Sequence, residues 1–183
     1  MNFFKRFIGH LRTVHKHRAM VRKLCFKCGL YWQGLTHDLS KYSPVEFWNG
    51  VRFYTGKKSP HVGEREKYGY SRAWLNHKGR NKHHAEYWQD IRPNGKTETI
   101  IMPERYFVEM ICDRIAASMV YNGASYNDSA PLHYYLTHKD ENQFHPETQE
   151  KLEFWLDYVE DRGSDCAFKK LKELLIKSRR NSK

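Results

Sequence analysis

From Asn2 to Leu30 the chain has no proline, and its only glycines are Gly9 and Gly29. Within that stretch His10, Val14, His17, Val21, Leu24 and Cys28 follow one another at alternating steps of four and three. Residues at those steps share one face of a helix, so the spacing predicts a long N-terminal helix that buries this stripe. Two of the six are histidines. A polar ring on a buried stripe needs a partner, because losing water without gaining a hydrogen bond or a metal costs free energy. A hydrogen-bonded core histidine is the plain alternative.

Gly29 and Gly34 bracket the end of that helix and a short link. Ser43-Pro44-Val45-Glu46 then supplies an N-cap, a proline at the first helical position and the glutamate of a capping box, so a helix should run to about Tyr54. Residues 55–70 carry Gly56, Pro60, Gly63 and Gly69 among charges and read as an irregular connection. Short helices are expected over 71–78 and 82–90, with "RPNGKTET" at 92–99 as a turn or small hairpin. Pro103 opens a helix to about Tyr121 that sets Tyr106, Met110, Asp113, Ala117 and Val120 on one face. "NGASYNDSAP" reads as loop, Pro131 and Pro146 each open a further helix, and 166–180 forms a basic last one. Strand signals are scarce and no repeat is present, so the expected fold is all-α.

The chain's 183 residues suffice for one domain with a real core. Only 39% are apolar but 15% are aromatic, so large rings supply much of the buried area. A formal charge of +11 favours anionic partners: a small molecule such as a nucleotide, nucleic acid, or a membrane surface. No stretch approaches the roughly 20 apolar residues of a membrane span. "MNFFKRFIGHL" lacks the apolar core and cleavage site of a signal peptide, so a cytoplasmic protein with no membrane partner is expected. Four cysteines are too few for a disulfide scaffold. Cys25 and Cys28 form a C-x-x-C without the second pair of a zinc site, inside a helical pattern, so ordinary packing is expected.

Asp113 raises the same question as His17, since a carboxylate on an apolar face must be paired or bound to a metal. A buried ion pair with an arginine is the plain reading. Taken together, His17, His37, Asp38, His83, His84 and Asp113 offer imidazole and carboxylate, which suits a divalent metal such as Fe, Mn, Zn, Ni or Co, as one or two ions. Neighbouring residues diverge on a regular helix. His37 and Asp38 can therefore share a metal only where the backbone bends or the helix ends, and Gly34 with the following capping box points to such an end.

His17, then "GLTHDLSK", then "DRIAASMVYNG" resembles the HD-domain superfamily of metal-dependent phosphohydrolases. The family pattern is a first-helix His, a His–Asp pair and a distant Asp on a helical bundle. The resemblance implies that His17, His37, Asp38 and Asp113 are metal ligands. It implies an HD-like helical domain over 1–123, with 124–183 as a C-terminal helical extension packed on it. Lys41 stands where the cyclic-dinucleotide phosphodiesterase branch keeps a lysine near the metals. His83-His84 is similar to that branch's paired His, which helps hold a second metal; His61 or His77 is open as a further ligand. Ser40 replaces the branch's usual Gly, and its Gly-Tyr-Pro is missing. The layout of "HDLSKYSPVEFW", "WLNHKGRNKHHAEYW" and "MPERYFVEMICDR" is also similar to an uncharacterised family of bacterial and phage proteins, over most of residues 10–123.

The HD resemblance implies hydrolysis of a nucleotide or another phosphate ester or phosphodiester. Asp38 then belongs to the catalytic machinery as well as to the metal. Lys41 and Arg80 are the candidates for gripping phosphate, Arg80 as a bidentate donor. Glu86 is a candidate for orienting a ligand histidine, its plain reading being a surface side chain. Glu46 reads as the capping-box residue alone. Trp74, Tyr87 and Trp88 either stack on a base or fill core. Two rival functions stand beside hydrolysis: a basic nucleic-acid-binding protein whose His cluster is structural, and a di-iron oxygenase on the HD scaffold, which shares the Lys41 position.

Overall fold

The expected first helix spans Phe3–Lys27 (α1) in a computed structural model that describes residues 1–139 and 143–181. Asn2 caps it by accepting from the Lys5 amide at 2.9 Å, and Gly29 turns the chain away at φ 76°. Its buried residues are His10, Val14, His17, Val21, Leu24 and Cys25, with Cys28 buried at the cap. The stripe is the one that the spacing marks.

Gly34 has a different role from the one expected. It lies inside the next helix, Tyr31–Thr36 (α2), where an added Cβ would sit 3.0 Å from the Cys25 Cβ and 3.1 Å from the Phe26 ring. It lets α2 approach α1 closely, and the helix ends two residues later, at Thr36.

Ser43 caps the third helix, Pro44–Phe53 (α3), by accepting from the Glu46 amide. The connection expected over 55–70 instead contains a helix, Pro60–Tyr68 (α4), closed by Gly69 in the left-handed region at φ 78°. Arg72–Lys78 (α5) follows, with Ser71 accepting from the Trp74 amide at 2.9 Å. No helix covers 82–90. That stretch is a turn and a short 3-10 segment, Ala85–Tyr87, leading into the strand Gln89–Ile91 (β1). β1 pairs antiparallel with Thr97–Thr99 (β2) in the register Gln89↔Thr99, closing the hairpin expected at 92–99.

Glu104–Asn122 (α6) is the central helix. Every residue from Phe107 to Cys112 is buried, because α1 packs on one side while Ala130–Thr137 (α7), Pro146–Arg162 (α8) and Ser164–Asn181 (α9) cover others. A helix enclosed so widely carries apolar residues around most of its surface, and a single face no longer stands out. Of the face expected, Met110 is buried and Asp113 half-buried. One apolar cluster runs from Val21 and Leu24 through Phe107, Ile111 and Ile115 to Leu156, Phe168 and Leu171. Cys28 and Cys112 pack within it as free thiols, their sulfurs 3.9 Å apart. None of the described helices is long and apolar enough to cross a membrane.

The fold is therefore all-α apart from the small hairpin. α3, α4 and α5 pack on one another, and α3 lies against the first part of α1. There Gly50 brings the α3 backbone so close that an added Cβ would sit 2.2 Å from the His10 ring. Between this smaller layer and the α1–α6 pair lies a buried group of polar side chains.

Candidate metal centre

Adjacent residues share a site here because the backbone bends sharply between them. His37 leaves α2 at φ −47°, ψ 126°, and Asp38 follows in the left-handed region at φ 53°. Asp38 is the only non-glycine residue with positive φ among the described residues. Such a conformation costs on the order of 1–3 kcal/mol and persists where surrounding structure enforces it. Arg18 supplies part of that enforcement. Its guanidinium donates to the His37 carbonyl at 2.8 Å and the Leu35 carbonyl at 3.1 Å, and reaches the Tyr42 hydroxyl at 3.1 Å.

The turn delivers both side chains to a point where four other segments converge. α1 contributes His17, α5 contributes His77, the irregular stretch after α5 contributes His83 and His84, and α6 contributes Asp113. Two four-residue sets result, one of His17, His37, Asp38 and Asp113, the other of Asp38, His77, His83 and His84. Within each set the ligand atoms all lie within 4.8 Å of one another. Asp38 belongs to both. Its Oδ2 lies 3.4 Å from His37 Nε2 and 3.8 Å from His17 Nε2, while its Oδ1 lies 3.3 Å from His77 Nε2 and 3.4 Å from His83 Nε2.

These residues fit a bound cation better than a closed hydrogen-bond network. The Nε2 atoms of His37, His83 and His84 and the Oδ1 of Asp38 are buried without a hydrogen-bond partner among the described residues, while His17 Nε2 lies 2.9 Å from Asp113 Oδ1. Buried polar atoms are rarely left without a partner, and four in one place point to a ligand that satisfies them together. The donors are imidazole nitrogen and carboxylate oxygen with no thiolate, a set that transition-metal dications accept.

Carboxylates behind the rings fix their orientation. Glu109, on α6 and only 6% exposed, accepts from His37 Nδ1 at 2.9 Å and lies 3.3 Å from His83 Nδ1. It thereby serves one ring of each set. Glu46 accepts from His77 Nδ1 at 2.8 Å, from Ser40 Oγ at 3.2 Å and from Asn76 Nδ2 at 2.6 Å. These Nδ1 contacts aim the Nε2 atoms of His37, His77 and His83 into the cluster, where a metal can take their lone pairs. Ser40, in place of the glycine expected by resemblance, joins this support and also accepts from Asn81 Nδ2 at 2.8 Å.

Charges divide unevenly across the cluster. Burial and the Lys41 ammonium lower the pKa of His17 below its usual 6.5, and burial with the neighbouring His83 holds His84 well below it. Burial opposes charge on His37 too, yet Asp38, Asp113 and Glu109 together raise its pKa well above 6.5. Asp38 and Asp113 stay ionised: burial pushes them up, but their histidine neighbours, with Lys41 for Asp38, hold them well below the usual carboxylate value. Without metal the cluster keeps a proton on His37 near neutral pH, and a metal must displace it. Metal affinity should thus fall as pH drops and rise as pH approaches the raised pKa of His37. Titrating the metal-free protein with metal in weak buffer should release protons; metal binding independent of pH would contradict this.

Lys41 lies 2.7 Å from Asp38 Oδ2. Burial alone would lower its pKa, but Asp38 and Asp113 push it up to about 12. Its side chain is 26% exposed and that of Asp113 is 17%, against 2% or less for His77 and His83. The cluster is thus reached by solvent from the Lys41–Asp113 side.

Two expected roles, those of Arg80 and Glu86, have no counterpart in the geometry, and Trp88 takes the core-filling one of its two readings. Arg80 is exposed and donates to the side chain of Asn76 at 2.5 Å, holding a helper of Glu46 rather than facing the cluster. Glu86, on the 3-10 segment after the paired histidines, has no hydrogen bond to them among the described residues; Glu109 on α6 stands behind His83, and Glu46 on α3 stands behind His77. Trp88 packs against the core beside Tyr106, its indole donating to the Lys82 carbonyl at 2.7 Å. Of the two histidines left open, His77 joins the second set, whereas His61 stands behind it, its ring 6.1 Å from that of His77. The sequence did hold signals for what was missed. Glu109 lies four residues before Asp113, on the same helix face, and Glu46 is a carboxylate nine residues after His37.

Residues 6–158, a span that includes every residue of the cluster, match a family of unknown function, DUF5662. No curated protein and no solved structure matches the chain.

Proposed function

The chain belongs to the DUF5662 family, and we propose that it is a metal-dependent phosphohydrolase of the HD-domain type acting on a nucleotide or another phosphate ester or phosphodiester. One observation carries the reading: the Asp38 carboxylate turns one oxygen to each of two imidazole-rich sets. A carboxylate shared in this way suits two ions side by side. The ordered His, His–Asp–x–x–Lys, His–His, Asp pattern supports the same family of reactions.

Divalent ions held by the two sets would supply Lewis acidity toward a phosphoryl oxygen and lower the pKa of a water molecule. The chain's own residues do the rest. Lys41 keeps its charge and stands on the side where solvent reaches the cluster, so an entering phosphate meets a cation there. Asp38 and Asp113 remain anionic, and Glu109 and Glu46 keep the rings from rotating out of register. The formal charge of +11 draws anionic substrates toward the protein.

The test loads the purified protein with Mn²⁺, Fe²⁺ or Zn²⁺ and follows p-nitrophenol release from bis(p-nitrophenyl) phosphate and p-nitrophenyl phosphate. Turnover should appear with metal, disappear with a chelator and be absent in His37→Ala. Full turnover in His37→Ala would contradict the reading, as would oxygen consumption by the iron-loaded protein without hydrolysis.

A further inference from the structure

Phe3, near the start of α1, stacks on Trp48 of α3 with ring centroids 6.5 Å apart and an interplanar angle of 18°. Both rings nonetheless stay open to solvent, Phe3 at 66% and Trp48 at 53%. They line a groove of about 870 Å³ that also takes in Tyr70, itself 58% exposed. Exposed flat rings gathered at one groove are not what folding alone requires, since their burial would be favourable.

Three arginines share the groove: Arg6, Arg52 and Arg72. Among the described residues none of them is in an ion pair. Arg6 donates to the Arg52 backbone carbonyl at 3.1 Å, which ties its guanidinium to the C-terminal end of α3. The one carboxylate lining the groove, Glu64, is turned inward. Its Oε2 accepts from Asn49 Nδ2 at 2.5 Å, Ser71 Oγ at 2.5 Å and the Ala73 amide at 3.3 Å. The charge left facing the groove is positive.

We propose that this groove binds single-stranded nucleic acid, at a site separate from the metal cluster. Open aromatic faces receive bases by stacking, and guanidinium groups receive the phosphates between them; this pairing is how sequence-tolerant single-strand binding works. A duplex keeps its bases stacked on one another and cannot use the rings. α3 divides the two sites. Its Glu46 turns to His77, while Trp48, Asn49 and Arg52 line the groove. Binding here does not depend on the phosphohydrolase reading.

The test measures anisotropy of a fluorescein-labelled oligothymidylate with the full chain over a range of salt. Binding should weaken as salt rises, with a log–log slope of about −0.7 per phosphate neutralised. The double variant Arg52→Gln/Arg72→Gln should reduce that slope by about 1.4. Trp48→Ala should weaken binding about tenfold and Trp48→Phe should restore most of it. Asp38→Asn should bind as the unaltered chain does, even if it has lost metal. Should Trp48→Ala not fold, the Trp48→Phe and arginine variants still decide. The proposal is overturned if no oligothymidylate binds at low salt, or if the arginine variant binds with an unchanged slope. Displacement by duplex DNA or polyglutamate as effective as by single strands would also overturn it, pointing to bare charge or an acidic protein partner.

Discussion

On the proposed two-ion reading, Asp38→Asn should leave the protein without metal and abolish p-nitrophenol release while leaving the helices in place. The substitution keeps the shape of the side chain. It also keeps a residue type that tolerates the left-handed backbone at φ 53°, so the turn survives. What it removes is the negative charge and one of two acceptor oxygens. Since Oδ1 faces His77 and His83 while Oδ2 faces His17, His37 and Lys41, either orientation of the amide replaces one ligating oxygen with an NH2 group that has no lone pair to offer a cation. Alanine would be the less informative variant, because left-handed backbone at a residue with only a Cβ adds a cost of about 1–2 kcal/mol. Circular dichroism and metal content on the same sample separate the two effects. Retention of both ions by Asp38→Asn would show that the shared carboxylate is not what joins the sets.

The second large effect concerns Glu109. Glu109→Gln should lower the affinity of both ions by about 10–100-fold, whereas Glu46→Gln should weaken one ion by a similar factor and spare the other. The difference follows from geometry, for Glu109 lies behind His37 and His83, one ring from each set, and Glu46 lies behind His77 alone. Glutamine still offers one carbonyl oxygen but not the charge that makes the far nitrogen of each imidazole a better donor. Burial raises the pKa of the Glu109 carboxyl, and its bonds to His37 and His83 bring it below its usual value, so that charge is present near neutral pH. Metal titrations read the result directly, with two shifted steps for Glu109→Gln and one for Glu46→Gln. Two unshifted steps in Glu109→Gln would mean that the rings are held by packing alone.

Part of this arrangement is legible in the sequence. The α1 stripe placed His17 inside, and the adjacency of His37 and Asp38 demanded a bend, which the chain supplies at Asp38. Of the two signals for that bend, the capping box at Ser43 holds, whereas Gly34 serves the packing of α2 on α1. Glu109 escaped notice because α6 is covered on most sides, so a buried carboxylate on it breaks no visible apolar face. Glu46 escaped for the opposite reason. Its position in a capping box gave a sufficient local explanation, and that explanation holds for its backbone, but its side chain serves His77. Gly63 hid α4, although Pro60 and Gly69 marked both of its ends. Closeness in sequence to the paired histidines misled for Arg80 and Glu86, since the chain turns around His83 and His84 instead of continuing as a helix.

Elemental analysis of the purified, metal-replete protein tests the central claim most directly. Two divalent transition-metal ions per chain are predicted, with none remaining in Asp38→Asn. A folded protein that holds no metal, or an Asp38→Asn variant that holds as much as the unaltered chain, would contradict it.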